Sequence, residues 1–169
     1  MNLKQSAGGI LILVALTVCT GNKPSENRVD GRRTATALTE ADVQAAIEQW
    51  LNLWATYDVS LLPEIFLTTD ELTYFSSEKE GLLKGYDKLA PHHAGFGFVT
   101  GGRQPRINLW LEDVEIRLYG ETALVAAVWY TADYGVEAQK SAQKGPVTFV
   151  LVLDDQGKVK IAHAHFANY

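Results

Sequence analysis

Four histidines occur in this 169-residue sequence, and they stand in two pairs, His92-His93 and His163-Ala164-His165. Imidazole titrates near neutral pH, so a histidine facing an enclosed ligand can move a proton or polarise a carbonyl. The second pair lies in the run Val159-Lys160-Ile161-Ala162-His163-Ala164-His165-Phe166, which follows Thr148–Leu153 and the polar turn Asp154-Asp155-Gln156-Gly157. That pattern reads as a hairpin. Strand alternation puts Val159, Ile161, His163 and His165 on one face, with Lys158, Lys160, Ala162 and Ala164 on the other. Lysines belong in water, so the two imidazoles are expected to turn inward and to act as the catalytic acid–base pair. The competing reading is structural: half-buried rings hydrogen-bonded to tyrosine or backbone. A metal needs a third or fourth ligand, and His92 and His93 as helical neighbours diverge by about 100°. Neither a metal nor a cofactor is therefore expected.

Trp54, Trp110 and Trp129 are suited to stack against a flat apolar ligand, or equally to fill a core. There is no Gly-rich phosphate loop, no nucleophile elbow and no pair of cysteines.

The elements that position these residues follow from periodicity. Thr39 and Asp42 have the spacing of a capping box, and Leu38 and Val43 that of a hydrophobic staple. Val43, Ile47, Trp50, Leu51, Trp54 and Tyr57 then recur every three or four residues, the stripe of an amphipathic helix. Asp58 and Ser60 interrupt it, and Pro63 opens a short second helix running to about Phe66. Leu72–Ser76 reads as a strand, Ser77–Gly81 as a polar turn, Tyr86–Phe98 as a third helix and Thr100–Pro105 as a loop. In Ile107–Leu118 the apolar residues sit first at odd positions (Ile107, Leu109, Leu111) and then at even ones (Val114, Ile116, Leu118). One extra residue near Glu112 or Asp113, a β-bulge, restores a single inward face. Thr122–Tyr134 is apolar on both faces, as a central strand is, and Gly135–Gly145 is a polar connection to the final hairpin. Helices followed by four long strands imply an α+β fold, with helices packed on one face of a curved, mostly antiparallel sheet.

Residues 1–18 carry one cation, Lys4, and the apolar run Ile10–Val18, too short to span a membrane and suited to a secretory signal. Leu16-Thr17-Val18-Cys19 resembles a bacterial lipoprotein signal, with Cys19 as the lipidated residue, although that family prefers Gly, Ala or Ser where Val18 stands. The alternative is ordinary cleavage beyond Cys19. The protein is thus expected to be exported, either as a periplasmic or cell-envelope lipoprotein or as a secreted protein. Its only membrane attachment would be a lipid anchor at Cys19. Residues 19–38 lack large apolar side chains and read as a disordered tether; residues 39–169 form the single domain. The net charge of −5 with no basic stripe argues against nucleic acid.

Several segments together resemble the nuclear-transport-factor-2-like superfamily, in particular its SnoaL-like branch and the association domain of calcium/calmodulin-dependent protein kinase II. They are the Trp50–Asp58 helix end, Leu111-Glu112-Asp113-Val114, Arg117–Ala123, Thr148 and Gly157–Phe166. The likeness covers roughly Thr39 to Asn168. It departs at Val159, where relatives often carry Trp, and at Ala167, where they often carry Ser. Ketosteroid isomerase relatives place an aspartate base at the end of the first strand; Phe75 and Ser76 stand there in this chain, so that chemistry does not carry over. The resemblance implies a cone-shaped fold with a pocket lined by Trp54, Tyr74, Trp110, Trp129, His163 and His165, and Asp133 and Tyr134 at its mouth. It also implies a homodimer. The expected function is an exported protein binding an unknown small molecule, with weak acid–base catalysis by His163 and His165 as a further step. The alternative is a non-catalytic association domain whose cone is filled by its own side chains.

Overall fold

A computed structural model describes residues 37–135 and 143–169. The expected signal segment, Cys19, the expected tether up to residue 36 and part of the connection after Gly135 lie outside the described residues. Leu38, counted above with the tether, already belongs to the core: its side chain is buried and its N–H donates to the Gly120 carbonyl at 3.3 Å.

Helix α1 (Glu40–Thr56) begins as its sequence dictates. The Thr39 hydroxyl accepts the Asp42 N–H at 3.2 Å, while the Asp42 carboxylate accepts the Thr39 N–H at 3.1 Å. Each bond satisfies a donor that the first turn would otherwise leave orphaned. Val43, Ala46, Ile47, Trp50, Leu53 and Trp54 form its buried stripe. The helix stops at Tyr57, which adopts a left-handed conformation with φ of 53°. Asp58 then accepts N–H bonds from Ser60 at 3.0 Å and Gly101 at 2.9 Å, tying a 3-10 turn (Val59–Leu61) to the loop around Gly101. Helix α2 (Leu62–Ile65) follows with Pro63 in its first turn, where a missing N–H costs nothing.

Strand β1 (Thr73–Ser76) forms a hairpin with β2 (Lys79–Lys84), a strand where the sequence suggested a polar turn running to Gly81. Helix α3 (Tyr86–Gly95) is shorter than expected because Gly97, with φ of 94°, turns the chain away. Strands β3 (Ile107–Tyr119), β4 (Thr122–Asp133), β5 (Gln143–Leu153) and β6 (Val159–Phe166) complete one six-stranded sheet of order β2-β1-β6-β5-β4-β3. Only β1 and β6 run parallel. The expected bulge in β3 is present: the register shifts between Glu112 and Glu115, and Asp113 takes φ of 53°. The helices cover one face of the sheet, where Trp50 packs against Phe149 at 4.9 Å and Phe166 at 5.7 Å between ring centroids. No helix among the described residues is long and apolar enough to cross a membrane.

The final strand corrects the sequence reading. Leu151 faces Ile161, but Val150 faces His163, so Ala162 is an extra residue in β6. This second bulge reverses the parity of everything after it. Ile161 stays inward; beyond the bulge Ala164 and Phe166 are the inward residues, and His163 and His165 lie on the outer face. Lys160 does not reach water either. It is buried, with its Nζ donating to the carbonyls of Pro63 and Glu64, each at 2.8 Å.

Candidate functional site

Between the helices and the inner face of the sheet lies a cavity of about 340 Å3, so the cone is not filled by its own side chains. The last turn of α1 gives it Trp54 and Tyr57, β1 gives Tyr74, and the end of α3 with the following residue gives Gly95 and Phe96. The sheet contributes Ile107, Leu109, Trp129, Thr131 and Phe166. Its polar lip comes from Ser76, Ser77 and Glu78 at the β1–β2 turn, Gln143 at the start of β5, and Arg106 just before β3.

Three expected lining residues are therefore in place: Trp54, Tyr74 and Trp129. Each is fixed by its surroundings. Trp54 meets Phe98 edge-on at 5.0 Å and Phe96 at 5.6 Å. Trp129 donates its Nε1–H to the Ala167 carbonyl at 3.0 Å. That carbonyl passes so close to β5 that a Cβ on Gly145 would lie 1.8 Å from it, which only glycine permits. Burial pushes the Tyr74 phenol well above its ordinary range, so it stays a neutral hydroxyl. The Tyr57 ring stacks on Phe98 at 4.3 Å. Burial raises its phenol as well, opposed by main-chain hydrogen bonds at Arg106 and Ile107 and by the positive charges of Arg106 and Arg103.

The remaining expected residues are elsewhere. His163 and His165 are on the outer face, beside Phe75 at 6.2 and 5.2 Å, and the His163 Nδ1 lies 2.8 Å from the Thr73 hydroxyl. Partial burial lowers the His163 pKa, and the neighbouring His165 lowers it further. Trp110 is also outside, because it pairs with Tyr130 on the face opposite to Leu109 and Leu111; the two rings stack at 5.4 Å. Asp133 and Tyr134 are exposed at the end of β4, outside the cavity lining. Asp133 shares the parity of Trp129 and Thr131 but is the last residue of β4, and Tyr134 follows it.

The other histidine pair stands just behind the cavity wall. His93 is fully buried among the rings of Trp54, Phe66, Tyr74, Phe96 and Phe98. Its Nδ1 lies 3.1 Å from the Leu89 carbonyl, which fixes the proton there, and its Nε2 has no partner. Burial pushes its pKa down to about 4, so at neutral pH it is an uncharged packing ring. Burial lowers His92 too, with a further contribution from the Lys79 charge. Among the described residues no three His, Cys, Asp or Glu side chains cluster as metal ligands.

Sequence reasoning missed the polar lip and Phe166. Phe166 had a signal, since it is the one large apolar residue of β6 out of step with Val159 and Ile161. Glu78, Arg106 and Gln143 had none, because loops and strand ends bring them together. Glu78 accepts from Gln143 Nε2 and Ser77 Oγ, both at 3.3 Å. The result is an apolar chamber with one cationic and one acidic side chain at its lip, suited to an amphipathic, flat molecule.

This architecture is the nuclear-transport-factor-2-like fold, an α+β cone with a curved sheet. Solved structures similar to it include a superfamily member from Salmonella enterica serovar Typhimurium, with 18% identity over 76% of this chain and 89% of that one and a TM-score of 0.62. A protein from Parabacteroides distasonis, described as a candidate ketosteroid isomerase, shares 15% identity over 81% and 92% of the two chains, with a TM-score of 0.60. The association domain of C. elegans CaMKII shares 19% identity over 74% and 92%, with a TM-score of 0.57. At such identities the likeness defines the fold alone. No family model matches the sequence, and no curated protein matches it significantly.

Proposed function

We propose that this chain is an exported small-molecule-binding protein whose ligand occupies the cavity between α1, α3 and the inner face of the sheet. The single observation that carries the reading is the chamber itself: an open space of about 340 Å3, walled by Trp54, Tyr57, Tyr74, Phe96, Trp129 and Phe166. Aromatic walls and a few polar groups at the lip suit a flat, mostly apolar molecule. Acid–base work by His163 and His165 is not part of the proposal, because their rings stand on the other face of the sheet. The test uses 2-naphthol as a generic flat probe. Saturable one-to-one binding to the wild type, abolished in the cavity-filling variant Thr131→Trp, is the expected result. Absence of saturable binding, or equal binding by the filled variant, overturns the reading.

Export rests on Lys4, the run Ile10–Val18 and Cys19. Labelled palmitate entering the wild type but not Cys19→Ser supports a lipid anchor, whereas an intact mass showing cleavage beyond Cys19 removes it.

A second, compatible reading is self-association through the outer face of the sheet. Phe75, Trp110, Tyr130, His163 and His165 lie there without a covering element among the described residues. The match to an association domain agrees with this. Sedimentation equilibrium tests it: a dimer that Trp110→Asp converts to a monomer is expected, and a monomeric wild type rejects it.

A further inference from the structure

We infer that the ligand of this cavity is an aromatic carboxylate, whose ring lies between the aromatic walls and whose anionic group meets Arg106 at the lip. The inference rests on the pocket reading above and adds the chemistry of the ligand's polar end. Four observations support it.

First, Arg106 lines the cavity, and no carboxylate of the described residues lies within 4 Å of it, although acids outnumber bases in the chain. Second, a like charge crowds it. A Cβ on Gly97 would sit 3.6 Å from the Arg106 Cζ and 3.8 Å from an Arg103 Nη1, so the two guanidinium groups share one side of the turn after α3. Two cations held together repel each other, and an anion placed between them offsets that repulsion. Third, the scaffold under Arg106 is fixed. Its carbonyl accepts the Tyr134 N–H at 3.0 Å, and Arg103 donates its N–H to the Thr56 carbonyl at 2.9 Å. Guanidinium is also the side-chain group best matched to a carboxylate, because two N–H groups can engage both oxygens.

Fourth, the acid at the lip is directed elsewhere. Glu78 stands in the β1–β2 turn and already accepts from Gln143 and Ser77. Its partner Gln143 opens β5, and β4 stands between that strand and β3, which Arg106 precedes. A ligand carboxylate therefore has a preferred end of the mouth, and Glu78 penalises the reverse orientation. The Tyr57 phenol, whose pKa the Arg106 and Ile107 main chain and the Arg106 and Arg103 charges act to lower against burial, adds a polar group beside the same end.

The test compares 2-naphthoate with 2-naphthylmethanol and 2-naphthylmethylamine, which share one ring system and differ in charge. Affinities are measured by titration calorimetry on the wild type, Arg106→Gln and Arg103→Gln. The expected result is that naphthoate binds the wild type about tenfold or more tightly than the alcohol, with the amine weakest. Arg106→Gln should erase that advantage, and Arg103→Gln should reduce it in part. Raising the salt concentration should weaken naphthoate selectively. Equal binding of acid and alcohol, a preference for the amine, or an advantage that survives Arg106→Gln overturns the inference while the pocket reading stands. Failure of all three probes to bind the wild type instead removes the pocket reading, and this inference falls with it.

Discussion

The two faces of the sheet are both rich in aromatic rings, yet they differ in what surrounds them. On the inner face Phe166 is buried against Trp50, Tyr74 and Trp129, and the space left over is the cavity. On the outer face Trp110 stacks on Tyr130, and the Phe75 ring stands beside His163 and His165, with no helix of the described residues above them. Aromatic content therefore does not locate the cavity of this chain. Cover by the helices does, and one extra residue in β6 decides which side of the sheet Phe166 and the histidines occupy.

The largest effect is expected from removing that residue. Deleting Ala162 forces either Val159 and Ile161 or Ala164 and Phe166 off the inner face, and the loss should exceed about 4 kcal/mol, read by urea denaturation. A deletion variant with near wild-type stability would mean that the bulge does not hold the two faces apart. Phe166→Ala, which empties the inner face alone, should cost about 3–5 kcal/mol.

Acid should also act on the inner side selectively. The folded-state pKa of His93 is pushed down to about 4, against an ordinary 6.5. Above pH 6.5 the residue is neutral in both states and its contribution is complete. Between pH 6.5 and 4 the unfolded chain takes up a proton that the folded one refuses, so stability falls with pH, by about 3 kcal/mol in all. Below pH 4 both states are protonated and the loss ends. His93→Phe should flatten this difference in a pH series of unfolding curves, while His163→Ala should leave the inner-face loss in place.

Lys160→Met should cost about 1–3 kcal/mol, because two part-buried carbonyls lose their donor. The smallest effect belongs to the outer face: Trp110→Ala should change the stability of the monomer by less than about 1 kcal/mol. A loss comparable to that of Phe166→Ala would erase the contrast between the faces.

Much of this arrangement was legible in the residues. The Thr39–Asp42 capping box and the β3 bulge appear where the pattern puts them, and so does the stripe of α1 except at Leu51, which is half-buried while Leu53 is fully buried. The β3 bulge was readable because three large apolar residues precede it and three follow it. The β6 bulge carries the same kind of parity switch, but past Ile161 only Phe166 is large, and the alanines at 162 and 164 fit either face. The burial of Lys160 follows from the carbonyls at the end of α2, a partner distant in sequence. Trp54, Tyr74 and Trp129 could be assigned to the cavity because each sits on the inward side of its own element. Arg106, Glu78 and Gln143 could not, since each stands at an element's edge and meets the others only through the sheet order.

The most direct test of the account labels the four tryptophans with fluorine and follows them by NMR while 2-naphthol and then 2-naphthoate are titrated in. The account predicts that the Trp54 and Trp129 resonances move with saturation while Trp110, on the outer face, stays in place. Saturable movement of Trp110 with Trp54 and Trp129 unchanged would contradict it.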